Sequence, residues 1–113
     1  MKSIQTLLQT LSQQLILLDC DVYHYEKADD FNVPYIVWAE QGEDDSSFNA
    51  DNHKKDQVIQ GTLDFYTETE FDSLVDTIQE TLDSLDNCGF MLNSVLYEDD
   101  TKLIHYSWNW ELI

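Results

Sequence analysis

The fold is decided by residues 56–85, which read DQVIQGTLDFYTETEFDSLVDTIQETLDSL. In the first part apolar and polar residues alternate, so Ile59, Leu63 and Phe65 share one face of a strand predicted over residues 57–66. In the second part apolar residues recur at three- and four-residue steps, which predicts one apolar stripe on a helix. The stripe consists of Phe71, Leu74, Val75, Ile78, Leu82 and Leu85. One long strand that runs straight into one long helix therefore organises the chain.

The start of this helix has a recognisable pattern. Thr67 and Glu70 fit the T-x-x-E capping box, in which each side chain satisfies a backbone N–H near the other. Tyr66 and Phe71 occupy the two positions of a hydrophobic staple. We therefore expect the helix to begin at Thr67, and to end where Gly89 suits the left-handed position after the last turn.

The predicted helix also carries an acidic stripe. Glu68, Asp72, Asp76 and Glu80 follow one another at four-residue spacing. Each like-charged pair at that spacing costs roughly 0.2–0.5 kcal/mol, so helix stability does not explain the stripe. Two interpretations remain: a solvated outer face of an acidic protein, or a surface that repels something negative.

The rest of the chain predicts an α+β fold. The other elements are a helix at 3–17, a strand at 22–25, a strand opened by Pro34 at 35–38, a polar loop at 40–52, and a hairpin with strands at 90–97 and 102–112. The last strand has the clearest alternation, with one face formed by Ile104, Tyr106, Trp108, Trp110 and Leu112. We expect a single domain over 1–113, with an antiparallel (possibly mixed) sheet of four to five strands and two helices packed on one face.

Charge is the outlier in composition. The chain has 23 acidic residues against five lysines and no arginine, which gives a formal net charge of −18. That balance argues against specific binding to DNA, RNA or an anionic membrane, because phosphate binding needs cationic side chains. The sequence shows neither an apolar run of about 18 residues nor a signal-peptide pattern, so we expect no membrane span and no secretion. Three partners remain open: a basic protein surface, copies of the chain itself, or DNA that passes without sticking.

No motif indicates catalysis, a metal or a cofactor. The histidines and cysteines lack metal-ligand spacing, and the glycines are too far apart for a phosphate loop. Cys20 and Cys88 are expected to be reduced and partly buried. Trp108 and Trp110 lack interleaved Lys or Arg, which favours a core or subunit-contact face over a platform for stacking bases. We expect a non-enzymatic protein with no metal or cofactor.

Several stretches resemble one family. They are Pro34–Trp38 (PYIVW), Phe48–Asn52 (FNADN), Gly61–Thr67 (GTLDFYT) leading into the acidic helix, and the aromatic closing hairpin. Together they resemble the tail-terminator (tail-completion, head–tail joining) proteins of long-tailed bacteriophages and prophages, some of which are labelled minor capsid proteins. The family usually shows PYIVY, whereas this chain has Trp38 at the last position.

The resemblance implies a structural role. Such proteins are small α+β subunits that form a ring, typically hexameric, on the head-proximal end of the tail tube. The ring stops tube growth, offers a docking surface to the head connector and lets DNA through. The implied partners are copies of the chain, the tail tube protein and the head connector protein, with no metal or cofactor. The implied location is the virion tail, after assembly in the host cytoplasm.

Two site hypotheses follow. An acidic lumen wall would keep DNA from binding, so either the stripe of Glu68, Asp72, Asp76 and Glu80 or the loop at 40–51 is expected to face the lumen. The longer loop at 40–55 is also expected to contact a neighbouring subunit or the tail tube. The predicted contact residues are Phe48, Asp51, Asn52, Lys54 and Lys55.

Two other functions are compatible with the charge. Rows of carboxylates could mimic the DNA backbone and inhibit a restriction or nuclease system by occupying its basic groove. An acidic immunity protein that neutralises a basic toxin is the third alternative.

Overall fold

The computed structural model describes residues 3–43 and 57–113. In chain order its elements are α1 (Ile4–Leu15), β1 (Asp21–His24), β2 (Tyr35–Glu43), β3 (Ile59–Thr67), α2 (Leu74–Ser84), β4 (Cys88–Glu98) and β5 (Leu103–Leu112). The five strands of the described residues form one sheet in the order β1-β2-β3-β5-β4. The β1–β2 pair is parallel and the other pairs are antiparallel. The predicted α+β fold is confirmed, and the sheet, expected to be antiparallel with a mixed sheet left open, is mixed.

The core lies between the helices and one face of the sheet. Leu63 pairs with Trp38 on one side and Trp108 on the other, and all three side chains are buried. Both helices contribute to the same cluster, through Leu7, Leu8, Leu11, Leu15, Ile78 and Leu82. The aromatic face of β5 therefore packs beneath the helices, as its alternation predicted. Among the described residues no helix is long and apolar enough to cross a membrane.

The two core tryptophans are fixed by hydrogen bonds as well as by packing. The indole N–H of Trp108 donates to Oε1 of Gln79 at 3.1 Å, which ties α2 to β5. The indole N–H of Trp110 donates to the carbonyl of Thr62 at 2.9 Å. A Cβ at Gly61 would collide with the Trp110 ring and with the carbonyl of Ala39. Glycine at position 61 therefore makes room for the Trp110 indole over β3.

The helix start predicted at Thr67 is wrong. Thr67 is the last residue of β3, pairs with Ile104 and is fully buried. Its hydroxyl donates to Oδ2 of Asp72 at 2.7 Å, and Oδ1 of Asp72 accepts the N–H of Leu74 at 2.9 Å. The sheet extends one residue further than predicted, and Asp72 rather than a Thr67–Glu70 box satisfies the first turn of α2.

The predicted staple is also wrong. Phe71 is 90% exposed and has a φ of 58°, the left-handed region that non-glycine residues rarely occupy. It lies in the turn before α2 instead of on the apolar stripe. The rest of the stripe is confirmed: Ile78 and Leu82 are buried, and Leu74, Val75 and Leu85 pack against the core.

Two further boundaries differ from the prediction. The loop expected from residue 40 is wrong for residues 40–43, because β2 pairs with β3 as far as Glu43. Gly89 does not terminate a helix, since α2 ends at Ser84 and Gly89 pairs with Glu111 inside β4. In both cases pairing with a strand distant in sequence keeps a polar or glycine-containing segment extended.

Candidate functional site

The predicted acidic stripe is only partly present. Asp76 and Glu80 lie exposed on α2, one turn apart. Glu68 is exposed but precedes the helix, and Asp72 is half-buried with both carboxylate oxygens hydrogen-bonded. The four-residue helical spacing predicted for Glu68 and Asp72 is therefore wrong, and Asp72 has an internal structural role.

The predicted contact residues lie outside the described residues. They are Phe48, Asp51, Asn52, Lys54 and Lys55. Of the 40–51 loop that was the other lumen candidate, only residues 40–43 are described, and they belong to β2. The site must therefore be sought on the surfaces of the remaining elements.

The sheet face opposite the helices carries a row of stacked rings. His105 stacks on Tyr66 with ring centroids 4.2 Å apart, and Tyr66 stacks on Tyr35 at 4.7 Å. The His105 Nε2 lies 2.7 Å from Oδ1 of Asp64. Burial, and then the charge of Asp64, raise the pKa of Tyr66 to about 12, so its phenol stays protonated at neutral pH. The row binds β2, β3 and β5 together across the face.

A second cluster joins β1 to β2. His24 stacks between Tyr25 and Trp38, with centroid distances of 3.8 and 3.9 Å. Glu40 lies 2.6 Å from the His24 Nε2 and accepts a hydrogen bond of 2.8 Å from the Tyr25 hydroxyl. Burial acts to raise the pKa of Glu40, but hydrogen bonds from its backbone amide, His24 and Tyr25 outweigh that effect and lower it. The carboxylate is therefore held in its charged form.

The two cysteine thiols are poorly suited to act as nucleophiles. Burial raises the pKa of the Cys20 and Cys88 thiols to about 11, so both are protonated and weakly nucleophilic at neutral pH. Both are free and half-buried, as expected. A depression of about 580 Å³ next to Gln60 and Asn109 is lined by a single ionisable side chain, Glu111. Within residues 3–43 and 57–113, no three His, Cys, Asp or Glu side chains are grouped to hold a metal ion.

The most distinctive surface is the outer strand β4. Its exposed apolar side chains cover much of the strand: Met91, Leu92, Val95, Leu96 and Tyr97 are between 43% and 64% exposed. The sequence predicted this strand but not its place at the edge of the sheet. One feature of the sequence could have indicated that β4 is an exposed contact strand. Residues 88–97 contain no charged side chain, although the whole chain has a net charge of −18.

No protein-family model matches this chain, and no curated protein matches it at a significant level. Its function is therefore to be inferred from its own residues and surfaces.

Proposed function

We propose that this protein is a non-enzymatic structural component of a long-tailed phage virion. It caps the head-proximal end of the tail tube, joins the tube to the head connector and forms a ring through which DNA passes. The observation that carries the proposal is an acidic α+β domain whose outer strand exposes a row of apolar side chains. Such a patch is typical of a surface for protein–protein contact.

The placement of the family-like motifs supports this role. The stretch at 34–38 opens β2, the stretch at 61–67 forms most of β3, and these two strands are neighbours in the sheet. The aromatic hairpin is β4 and β5, which completes the sheet on the other side of β3. These three stretches are thus contiguous in one sheet, while the stretch at 48–52 lies outside the described residues.

The charge supports passage of DNA. Glu68, Asp76 and Glu80 are exposed, and like charges on a channel wall repel phosphate instead of binding it. A ring of identical subunits also needs two different contact surfaces on each subunit. Phe71 is a candidate for one of them, because a 90% exposed aromatic ring held in a left-handed backbone conformation has no evident structural purpose.

The acidic DNA-mimic inhibitor remains the second candidate, because a net charge of −18 is also what such a protein needs. Its mechanism requires a row of free carboxylates that imitates the phosphate spacing. Asp72 interrupts the predicted row, since its carboxylate is bound to Thr67 and Leu74. The tail-end role is therefore the better supported of the two.

Immunogold electron microscopy tests the proposal. Particles from a lysate of the induced host would be labelled with antibody to this chain, and a lysate lacking its gene is the control. We expect gold at the head–tail junction or at one end of free tails. Absence of label from every particle, with abundant chain in the soluble fraction, would overturn the proposal. Salt-sensitive binding to a restriction or nuclease complex would then favour the inhibitor.

A further inference from the structure

We infer that the open edge of β4 binds an extended strand from a basic partner protein, by adding that strand to the sheet. The inference deepens the proposed function and rests on it only for the partner's place in the virion, where the tail tube and connector proteins are the candidates. The edge itself is argued from backbone geometry, exposed apolar side chains and charge.

The backbone of β4 has hydrogen-bonding groups directed outward. The carbonyl of Asn87 accepts the N–H of Ile113 at 3.1 Å, so residue 87 faces β5. Antiparallel pairing alternates, which directs the N–H and C=O groups of Phe90 and Leu92 away from β5. The backbone groups of Cys88 are directed away from β5 in the same way, and its N–H donates to the carbonyl of Leu85 instead of to β5. No other strand of residues 3–43 and 57–113 pairs with the outer side of β4.

The edge lacks most of the protection that proteins give to such strands. Charged residues, prolines and bulges usually prevent an edge from pairing with another chain. Residues 88–97 contain no charge and no proline, so the devices present in β4 are the register shift between Leu92 and Ser94 and the charge of its last residue, Glu98. The shift divides the edge into two short segments, 88–92 and 94–98, each long enough to pair with a few residues of a partner.

The exposed side chains lie on both faces of the edge. Met91 and Leu96 pair with Asn109 and His105, so they point to the face opposite the helices. Leu92, Val95 and Tyr97 point to the helix side. In strand addition, main-chain hydrogen bonds supply affinity and the alternating side chains supply specificity. The partner strand is therefore expected to have apolar side chains on both of its faces.

Charge at the two ends of β4 identifies the partner's flanks. Asp86 and Glu111 are exposed near its first residues, Glu98 is its last residue, and Asp99 and Asp100 follow in the turn at the other end. A partner with Lys or Arg on both sides of its apolar strand complements these acids. A second copy of this chain paired at this edge would instead bring the same acidic ends of β4 against these acids, which opposes edge-to-edge pairing of two copies.

The test uses the purified full chain and defined peptides. The probe is a synthetic peptide of alternating Val and Leu, which is apolar on both faces, with two lysines at each end; it is titrated into isotope-labelled chain and followed by amide chemical shifts. We expect shifts centred on β4 and affinity about tenfold higher than for the same peptide ending in glutamates. The lysine peptide with every amide between its terminal lysines N-methylated keeps its side chains and charge but has no N–H to donate on either edge, so we expect it not to bind.

A matched pair of variants locates the site. Leu92→Lys with Leu96→Lys places two cations on the edge, and we expect about tenfold weaker binding of the lysine peptide. Ile16→Lys with Leu17→Lys makes the same charge change at two apolar residues that are 62% and 75% exposed after α1. This control should bind as the unmodified chain does.

Any one of the following results would overturn the inference. The first is that the lysine peptide binds the edge variant and the control variant equally well. The second is that the N-methylated peptide binds as well as the lysine peptide. The third is that the lysine peptide does not bind, while the unmodified chain forms a dimer that the edge variant abolishes. The last result would assign the edge to self-association. Gold at tail ends with no peptide binding would leave the proposed function intact and remove only the inference. Peptide binding without gold at tails would overturn the proposed function and leave strand binding by β4 intact.

Discussion

Gly61 is the residue on which packing of the sheet centre depends most directly. A Cβ at this position would meet the Trp110 ring and the Ala39 carbonyl, neither of which can yield freely because both lie within paired strands. We predict that Gly61→Ala lowers the free energy of unfolding by about 2–3 kcal/mol, since overpacking a well-filled core forces side chains and backbone apart. Urea unfolding followed by tryptophan fluorescence measures this directly.

Gly89 supplies the control for that prediction. A Cβ there would lie 3.4 Å from Cγ of Glu111, which is ordinary contact with a flexible side chain. We expect Gly89→Ala to change the free energy of unfolding by less than about 1 kcal/mol. Equal losses for the two variants would show that the approach of Trp110 to β3 is not what requires glycine at position 61.

Glu40 makes stability depend on pH in a definite direction. Its pKa is lowered on folding from the ordinary value of 4.5, so its bonds to His24 and Tyr25 stabilise the fold fully above that value. The contribution is lost as pH falls below 4.5 through the folded pKa, because the unfolded chain then binds the proton more readily. We predict that Glu40→Gln removes this loss, so the difference in unfolding free energy between unmodified chain and variant shrinks as pH falls from 6 to 3.

The comparison must be with another acid, since protonation of many carboxylates relieves repulsion throughout a chain of net charge −18. Glu80→Gln removes the same charge from an exposed position on α2. Measured by urea unfolding across the same pH range, only the Glu40 variant should show the shrinking difference. Parallel curves for the two variants would mean that the cluster around Glu40 adds no specific pH dependence.

At the scale of elements, the start of α2 shows how a local pattern can mislead. Asp72 accepts the Leu74 N–H and the Thr67 hydroxyl, so it links the end of β3 to the first turn of the helix. We predict that Asp72→Ala costs about 2 kcal/mol, from a lost cap and a buried hydroxyl left without its acceptor. Glu70→Ala, which removes the exposed acid of the predicted capping box, should cost less than about 0.5 kcal/mol. Thermal unfolding of both variants distinguishes the two arrangements, and a larger cost for Glu70→Ala would favour the capping box.

Elements defined by strong periodicity could be predicted from the sequence. The buried face of β3, the alternation of β5 and the apolar stripe of α2 from Leu74 onward were all correct, because each pattern is local and repeats over several residues. The beginning of α2 could not be read in the same way. Threonine is a suitable residue both for a helix cap and for the end of a strand, so the residue type does not distinguish the two. The pairing of Thr67 with Ile104, which is far away in sequence, decides between them.

The candidate surfaces were harder to predict for the same reason. That β4 is an outer strand depends on β5 pairing with β3 on its other side, which no local pattern specifies. The acidic stripe assumed one unbroken helix, so the turn before α2 removed Glu68 and Asp72 from it. The contact residues around Phe48 stay predictions, since they lie outside the described residues.

At the scale of the whole molecule, the charge and the exposed edge set opposite requirements. The edge favours contact with another protein, whereas a net charge of −18 resists contact with a polyanion such as DNA. Both requirements are met if different sides of the domain face the partner protein and the DNA. The exposed acids at the start and outer face of α2 are then the candidates for the DNA side.

We therefore predict that Glu68→Lys, Asp76→Lys and Glu80→Lys together slow DNA ejection from assembled particles, because three cations per subunit would attract passing phosphates. Asp72 is left unchanged, since its hydrogen bonds support the fold. Glu26→Lys, Asp29→Lys and Asp30→Lys make the same change in charge at exposed residues between β1 and β2, and these should leave ejection unchanged. Ejection triggered in vitro and followed by a DNA-binding dye measures the rate, with electron microscopy to confirm that both variants assemble. The slowing should diminish as salt rises, because added ions screen the attraction. Normal ejection from fully assembled α2-variant particles would place these acids away from the DNA path, and the charge of the chain would then serve its protein contacts instead.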